Sequence, residues 1–309
     1  MRGQTLADKT SLISASTRIL SAGKRYILWF YLLNLAFAWL GAAAFSKSAH
    51  GILDHSLHAD RVLHGLDLGV LDEMIKRPEF GPRRSSEAPA LIFAFLFLLA
   101  SLLFMPGVLL SYSSDHRISR EEFVRACGRN VWRFVRLAVV FALIAGIVTA
   151  IGFLIQGAGM NALDSSSLDD RRLALVEWLS LGLMFLFLTV MRIWFDLAET
   201  DVVLRDRPAV RGSILWAFRA ILRNFFPLLG AYLLAAITAA IILLAGIFLW
   251  HLVVPPQSVV GAFLVSQVTL VLLLASRFWQ RAIAVAFYQR ISTERALPLF
   301  STVRVPAIP

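Results

Sequence analysis

The stretch "LLLASRFWQRAIA", Leu272–Ala284, runs a lipid-soluble sequence straight into two arginines one helical turn apart, Arg277 and Arg281. It closes an apolar segment spanning about 259–287, and roughly 20 such residues suffice for a helix to cross a hydrocarbon core about 30 Å thick. Five further runs are long enough, at about 27–45, 88–112, 134–156, 173–197 and 225–250. Hydrophobic residues make up 58% of the 309 and charged residues 16%, against roughly 25% charged in soluble domains. The expected fold class is therefore all-α, a polytopic membrane helical bundle with six transmembrane helices. Ala42, Ala43 and Ala44 after the first run imitate a signal-peptide cleavage site. About 26 residues precede that run and it is long enough to span, so a retained helix is expected.

Lys and Arg residues assign an orientation. The N-terminal arm, 113–136, 192–224 and 277–309 hold five, six, six and five of them, whereas 46–87, 157–173 and 251–258 hold six, two and none. Both termini are expected on the cytoplasmic side of a bacterial inner membrane. Of the 30 basic residues only Lys9, Lys24, Lys47 and Lys76 are lysines, and the net charge is +10. Arginine holds phosphate bidentately and keeps its charge near low-dielectric surroundings, so membrane phospholipid is the expected partner. Nucleic acid is not, because the charge is scattered over several loops. Cys127 is the single cysteine, which excludes an intramolecular disulfide framework and a multi-cysteine metal site.

The chain also matches itself. Laying Leu98–Ser101 over Leu273–Ser276 aligns the second and sixth runs, and the fourth joins them with Arg192-Ile193-Trp194-Phe195-Asp196 over Arg277-Phe278-Trp279-Gln280-Arg281. Ahead of the odd-numbered runs stand "FVRACGRNVWRF" (123–134), "ILWAFRAILRNF" (214–225) and, more weakly, "LISASTRIL" (12–20). Apolar residues three and four apart with Arg between them describe in-plane amphipathic helices on anionic lipid. Three tandem two-helix repeats follow. Residues 1–26 form a cytoplasmic arm with an amphipathic helix, and 27–112 a first hairpin with an external helical cap at 46–87. Residues 113–197 and 198–290 each hold an in-plane helix plus a hairpin, and 291–309 a cytoplasmic tail. Ala138, Ala142, Gly146 and Ala150, with Ala231, Ala235 and Ala239, form small-residue stripes that predict close packing of the third and fifth spans.

At 1.5 Å per residue, Arg277 lies about 27 Å along its helix and Arg192 about 28 Å along its own, at the edge between hydrocarbon and headgroups. Two readings stay open. Either these arginines are snorkelling anchors with Trp194 and Trp279 as interface belt residues, or Arg192, Arg277 and Arg281 converge, with Asp196 pairing one of them, to hold a lipid phosphate or other anion. Glu177, inside the fourth run, is the candidate transport carboxylate, with a structural pairing to Arg171 or Arg172 as its alternative. His50, His55 and His58 in the external segment are weak metal-ligand candidates; a solvated amphipathic cap explains them without metal. No metal or cofactor is expected. Nucleotide-loop, serine-hydrolase and metalloprotease signatures are missing, and "LDDRR" (168–172) is a lone acidic pair, so no enzyme is expected.

At "GILDHSLHADRVLHGLDLGVLDEMI" (51–75) and "RIWFDLAETDVVLRDRPAVRGSILWAFR" (192–219) the chain resembles uncharacterised bacterial six-span integral membrane proteins. That group is similar to the membrane domain preceding some glycerophosphodiester phosphodiesterases. The resemblance implies the six-span fold and transfers no activity or functional residue, since the phosphodiesterase catalytic domain has no counterpart in this sequence. The expectation is a non-enzymatic membrane protein engaging anionic phospholipid in lipid organisation, lipid movement or membrane-protein assembly. A secondary transporter of a small solute and a structural subunit with a membrane-protein partner are the alternatives. Helices broken at mid-membrane mark transporters, and Pro106-Gly107 and Pro227 lie nearer the cytoplasmic ends.

Overall fold

The computed structural model describes residues 11–53, 87–114, 116–164, 170–206, 209–255 and 258–301. These form eight α-helices: α1 (Leu12–Ala22), α2 (Lys24–Leu53), α3 (Glu87–Ser113), α4 (Arg120–Asp164), α5 (Asp170–Leu204), α6 (Val210–Arg223), α7 (Phe225–Val253) and α8 (Val259–Ser301). Six are long and apolar enough to cross a membrane, over Lys24–Ala43, Leu91–Ser113, Arg120–Leu154, Trp178–Leu204, Phe225–Val253 and Val259–Ser292. These are the six expected spans. Their outer surfaces are apolar, with Trp39, Phe95, Leu143, Leu154, Leu183 and Leu244 all exposed, a surface that lipid covers and water does not.

Local chemistry sets the helix limits. α4 opens with a capping box, in which Ser119 N–H donates to Glu122 Oε2 at 2.8 Å and Glu122 N–H donates to Ser119 Oγ at 3.1 Å. α6 stops at Asn224, whose N–H folds back to the carbonyls of Ala220 and Ile221. Pro227 then falls in the first turn of α7, where a missing N–H costs nothing. α1 and α6 are accordingly separate short helices. The segment 123–134 departs from expectation, because it is part of continuous α4. Its lone internal glycine, Gly128, is a helix penalty of about 1 kcal/mol and not a stop.

The chain divides into two compact units. The first takes in α1, α3 from Met105, α4, α5, α6, α7 to Ala235 and α8 from Trp279. Its core joins Leu137 and Phe141 of α4, Leu197 and Ala198 of α5, Ala217 and Ile221 of α6, Leu228, Ala231 and Ala235 of α7, and Ile283 and Phe287 of α8. Gly107 on α3 admits the Phe123 ring of α4, which a Cβ there would strike. In the second unit, α2, α3 to Phe104, α7 from Ala236 and α8 to Phe278 pack together. Tyr31 OH donates to Gln267 Oε1 at 3.1 Å, and Phe30 meets Phe278 edge-on with centroids 5.1 Å apart. Gly246 lets α7 press on Thr269.

The small-residue stripes meet only in part. Ala231 and Ala235 are buried in the same core as Leu137 and Phe141, whereas Ala142, Gly146 and Ala150 are exposed. The bulky Leu137 and Phe141 side chains, rather than the stripe of α4, make the contact. Most of the external cap at 46–87, with His55 and His58, lies outside the described residues; His50 falls at the end of α2 with its side chain undescribed.

Candidate functional site

The C-terminal part of α5 with the two residues that follow it, "RIWFDLAETDVVLRD" (192–206), carries more charge than any other buried stretch described. Every residue from Asp196 to Val203 is buried. Helical spacing puts Arg192, Asp196 and Glu199 on one face and Asp201 and Arg205 on the other, so both faces need partners.

On the first face, Arg192 Nη2 lies 3.1 Å from Asp196 Oδ1, and the fully buried Tyr232 of α7 donates its hydroxyl to Asp196 Oδ2 at 3.1 Å. One turn on, Arg281 of α8 brings Nε to 3.7 Å from Glu199 Oε2, an ion-pair distance too long for a hydrogen bond. The Asp196 carboxylate is wholly buried, Arg281 is 14% exposed and Arg192 34%. On the second face, Arg205 Nε sits 3.2 Å from Asp201 Oδ1 and donates to the Tyr288 hydroxyl of α8 at 2.8 Å. Trp216 of α6 and Tyr288 both lie under this guanidinium, at 5.3 and 5.8 Å to their ring centroids. Three buried carboxylates thus face three guanidiniums, and the centre where α5, α7 and α8 meet is charge-balanced.

The two matched tryptophans are half-buried and hold the short helices. Trp194 Nε1 donates to the Ile214 carbonyl of α6 at 2.9 Å, and Trp279 Nε1 donates to Ser16 Oγ of α1 at 3.0 Å. Trp194 also packs edge-on against Phe141, centroids 5.0 Å apart. Docked this way, α6 buries Ser213, Ala217, Ala220 and Ile221, with Val210, Ile214 and Trp216 partly buried against the same core. Its outer face carries Leu215 (55% exposed), Phe218 (44%) and Leu222 (64%), flanked by exposed Arg211, Arg219 and Arg223.

A second basic feature stands at the turn into α6. Asp206, just past the end of α5, accepts from Arg133 Nη1 at 2.8 Å, while Arg129 Nη1 lies 3.2 Å from its other oxygen. The bond from Arg133, with Arg129 close by, holds the Asp206 carboxyl below the usual aspartate range.

Of the residues singled out from sequence, Arg192, Asp196 and Arg281 come together in the buried centre. Arg277 is exposed. Glu177 lies in α5, with its side chain outside what is described. Sequence reasoning missed Glu199, Asp201, Arg205, Tyr232 and Tyr288. The available signal was the i,i+4 alternation of Arg192/Asp196 and Asp201/Arg205 on one helix.

Fold and centre together define a six-span helical integral membrane protein with a buried, charge-balanced polar centre and a docked amphipathic helix. No protein-family model, curated protein or solved structure matches the chain.

Proposed function

We propose that the chain is a non-enzymatic protein of the bacterial inner membrane that engages anionic phospholipid at the cytoplasmic face. Lipid organisation, lipid movement or membrane-protein assembly is its setting, and kinship with bacterial six-span membrane proteins belongs to the same proposal. The observation that carries the reading is the outer face of α6. An apolar stripe of Leu215, Phe218 and Leu222 flanked by Arg211, Arg219 and Arg223 suits a helix lying in the plane of the interface, apolar side in the acyl boundary and guanidiniums at headgroup phosphates. Arg192 and Arg281, matched by Asp196 and Glu199, hold the scaffold that presents it.

Native mass spectrometry of the detergent-purified protein tests the reading. Each arginine at an anionic surface contributes about 1 kcal/mol. Replacing Arg211, Arg219 and Arg223 by Gln should therefore weaken phosphatidylglycerol retention by one to two orders of magnitude and leave phosphatidylcholine retention unchanged. Equal retention of phosphatidylglycerol by the variant would sink it.

The buried carboxylates of α5 favour a second reading, a secondary transporter of a small solute, because intramembrane acids mark ion and substrate paths. That reading requires proton-coupled flux in liposomes that Glu199→Gln abolishes.

A further inference from the structure

Arg129 and Arg133 stand one turn apart on the same face of α4, where like charges repel. Their partner is Asp206, which reaches them from the turn between α5 and α6 with its backbone at φ 51, a left-handed value uncommon for a residue with a side chain. Each guanidinium fork uses only one nitrogen on it: Arg133 Nη1 on Oδ1 and Arg129 Nη1 on Oδ2. Arg133 is already oriented. The same Nη1 donates to Asn130 Oδ1 at 3.1 Å, and Asn130 is buried and pinned by its own bond to the Ala126 carbonyl at 3.0 Å. The carboxylate, by contrast, is about half exposed.

We infer that Arg129 and Arg133 form a binding site for a phosphate group, the headgroup phosphate of an anionic lipid or a free phosphate, which Asp206 occupies as a built-in competitor. The physical case has three parts. Two forks aimed at one point need an anion between them, and a phosphate offers more acceptor oxygens than a carboxylate, enough for both forks to bind bidentately. An exposed ion pair is weak, so exchanging Asp206 for an incoming anion costs little. Finally, Asp206 sits four residues before α6, so a phosphate that displaces it acts at the root of the lipid-facing helix. This inference rests on the lipid-engaging reading of α6 and adds a second, self-masked site to it.

The test measures binding of phosphatidylglycerol, and separately of inorganic phosphate, to the full-length detergent-purified protein by native mass spectrometry. Asp206→Asn is the informative variant, since Asn tolerates a left-handed φ. It should raise the affinity for at least one probe about three- to tenfold, and adding Arg133→Gln should cancel the gain. Glu121→Gln is the control. It removes one negative charge from α4, the helix that carries Arg129 and Arg133, and releases a single arginine, Arg125, so it should change affinity less than twofold. A gain confined to phosphatidylglycerol identifies a lipid headgroup as the ligand, and a gain with inorganic phosphate as well identifies the phosphate itself. No gain in Asp206→Asn, or an equal gain in Glu121→Gln, overturns the inference. If the Arg211/Arg219/Arg223 variant still loses phosphatidylglycerol in that case, the reading of α6 stands and only the masked site falls.

Discussion

Replacing Asp196 by Leu leaves the Arg192 guanidinium and the Tyr232 hydroxyl without their shared partner. Removing one member of a fully buried ion pair costs about 3–5 kcal/mol. Arg192 is one-third exposed, so water or headgroups relieve part of that, and about 2 kcal/mol is the appropriate share for the charge. The Tyr232 hydroxyl, fully buried, adds about 1–2 kcal/mol as an unsatisfied donor. The single variant should therefore lose about 3–4 kcal/mol. The double variant Arg192→Leu with Asp196→Leu removes the stranded charge and should recover most of the loss, because an apolar replacement of a buried pair is close to neutral. Tyr232→Phe added to Asp196→Leu should recover about 1 kcal/mol. Reversible SDS unfolding in mixed micelles, followed by tryptophan fluorescence, reads the wild type, Asp196→Leu, Arg192→Leu and the double leucine variant as a double-mutant cycle, with the Tyr232→Phe combination measured alongside. Costs that simply add in the double variant, or a loss below about 0.5 kcal/mol for Asp196→Leu, would refute the view that this centre is a matched set of charges.

Gly107→Ala should destabilise the protein by about 1–3 kcal/mol by driving a methyl into the Phe123 ring, while Gly128→Ala, with nothing within 4 Å, should be neutral or stabilising by up to about 1 kcal/mol; thermal unfolding of both variants checks the pair. Trp279→Phe removes the bond to Ser16, worth about 1 kcal/mol, so amide exchange in α1 should quicken about fivefold, and adding Ser16→Ala should quicken it no further. Because the Arg133 bond depresses the Asp206 carboxyl, its contribution is present above the unfolded value of about 3.9 and is lost only as pH falls through the lower folded value. Carbon-13 NMR of that carboxyl should therefore show no titration between about pH 8 and 5, and a midpoint above the ordinary value would contradict the contact.

Much of the fold was legible because spans depend on local length and apolarity. The short helices around 12–20 and 214–225 were legible from their period, and Gly23, Asn224 and Pro227 supply the breaks that separate them from the following spans. The segment 123–134 shares the period but has no such break, and the Ser119/Glu122 box fixes the helix start upstream of it. The polar centre was half legible. Arg192 and Asp196 pair within one helix, so spacing alone reveals them. Tyr232, Arg281 and Tyr288 come from helices distant in sequence, and which way Arg281 turns relative to Arg277 depends on those neighbours. Glu199 and Asp201 lie just beyond the apolar run that ends near 197, where solvation is the natural expectation; the packing of α6, α7 and α8 around α5 buries them. Trp194 and Trp279 have the composition of interface anchors, and only the docked positions of α6 and α1 give their indole N–H groups partners.

The most direct measurement places α6 in the membrane. Cys127 is the single cysteine and is buried, so Phe218→Cys in a Cys127→Ser background carries one fluorophore on the outer face of α6. In liposomes, lipids brominated on the acyl chain should quench that fluorophore, and brominated phosphatidylglycerol should quench it more strongly than brominated phosphatidylcholine at equal mole fraction. Equal quenching by the two lipids would contradict the anionic preference, and no quenching by either would contradict an in-plane, lipid-facing α6.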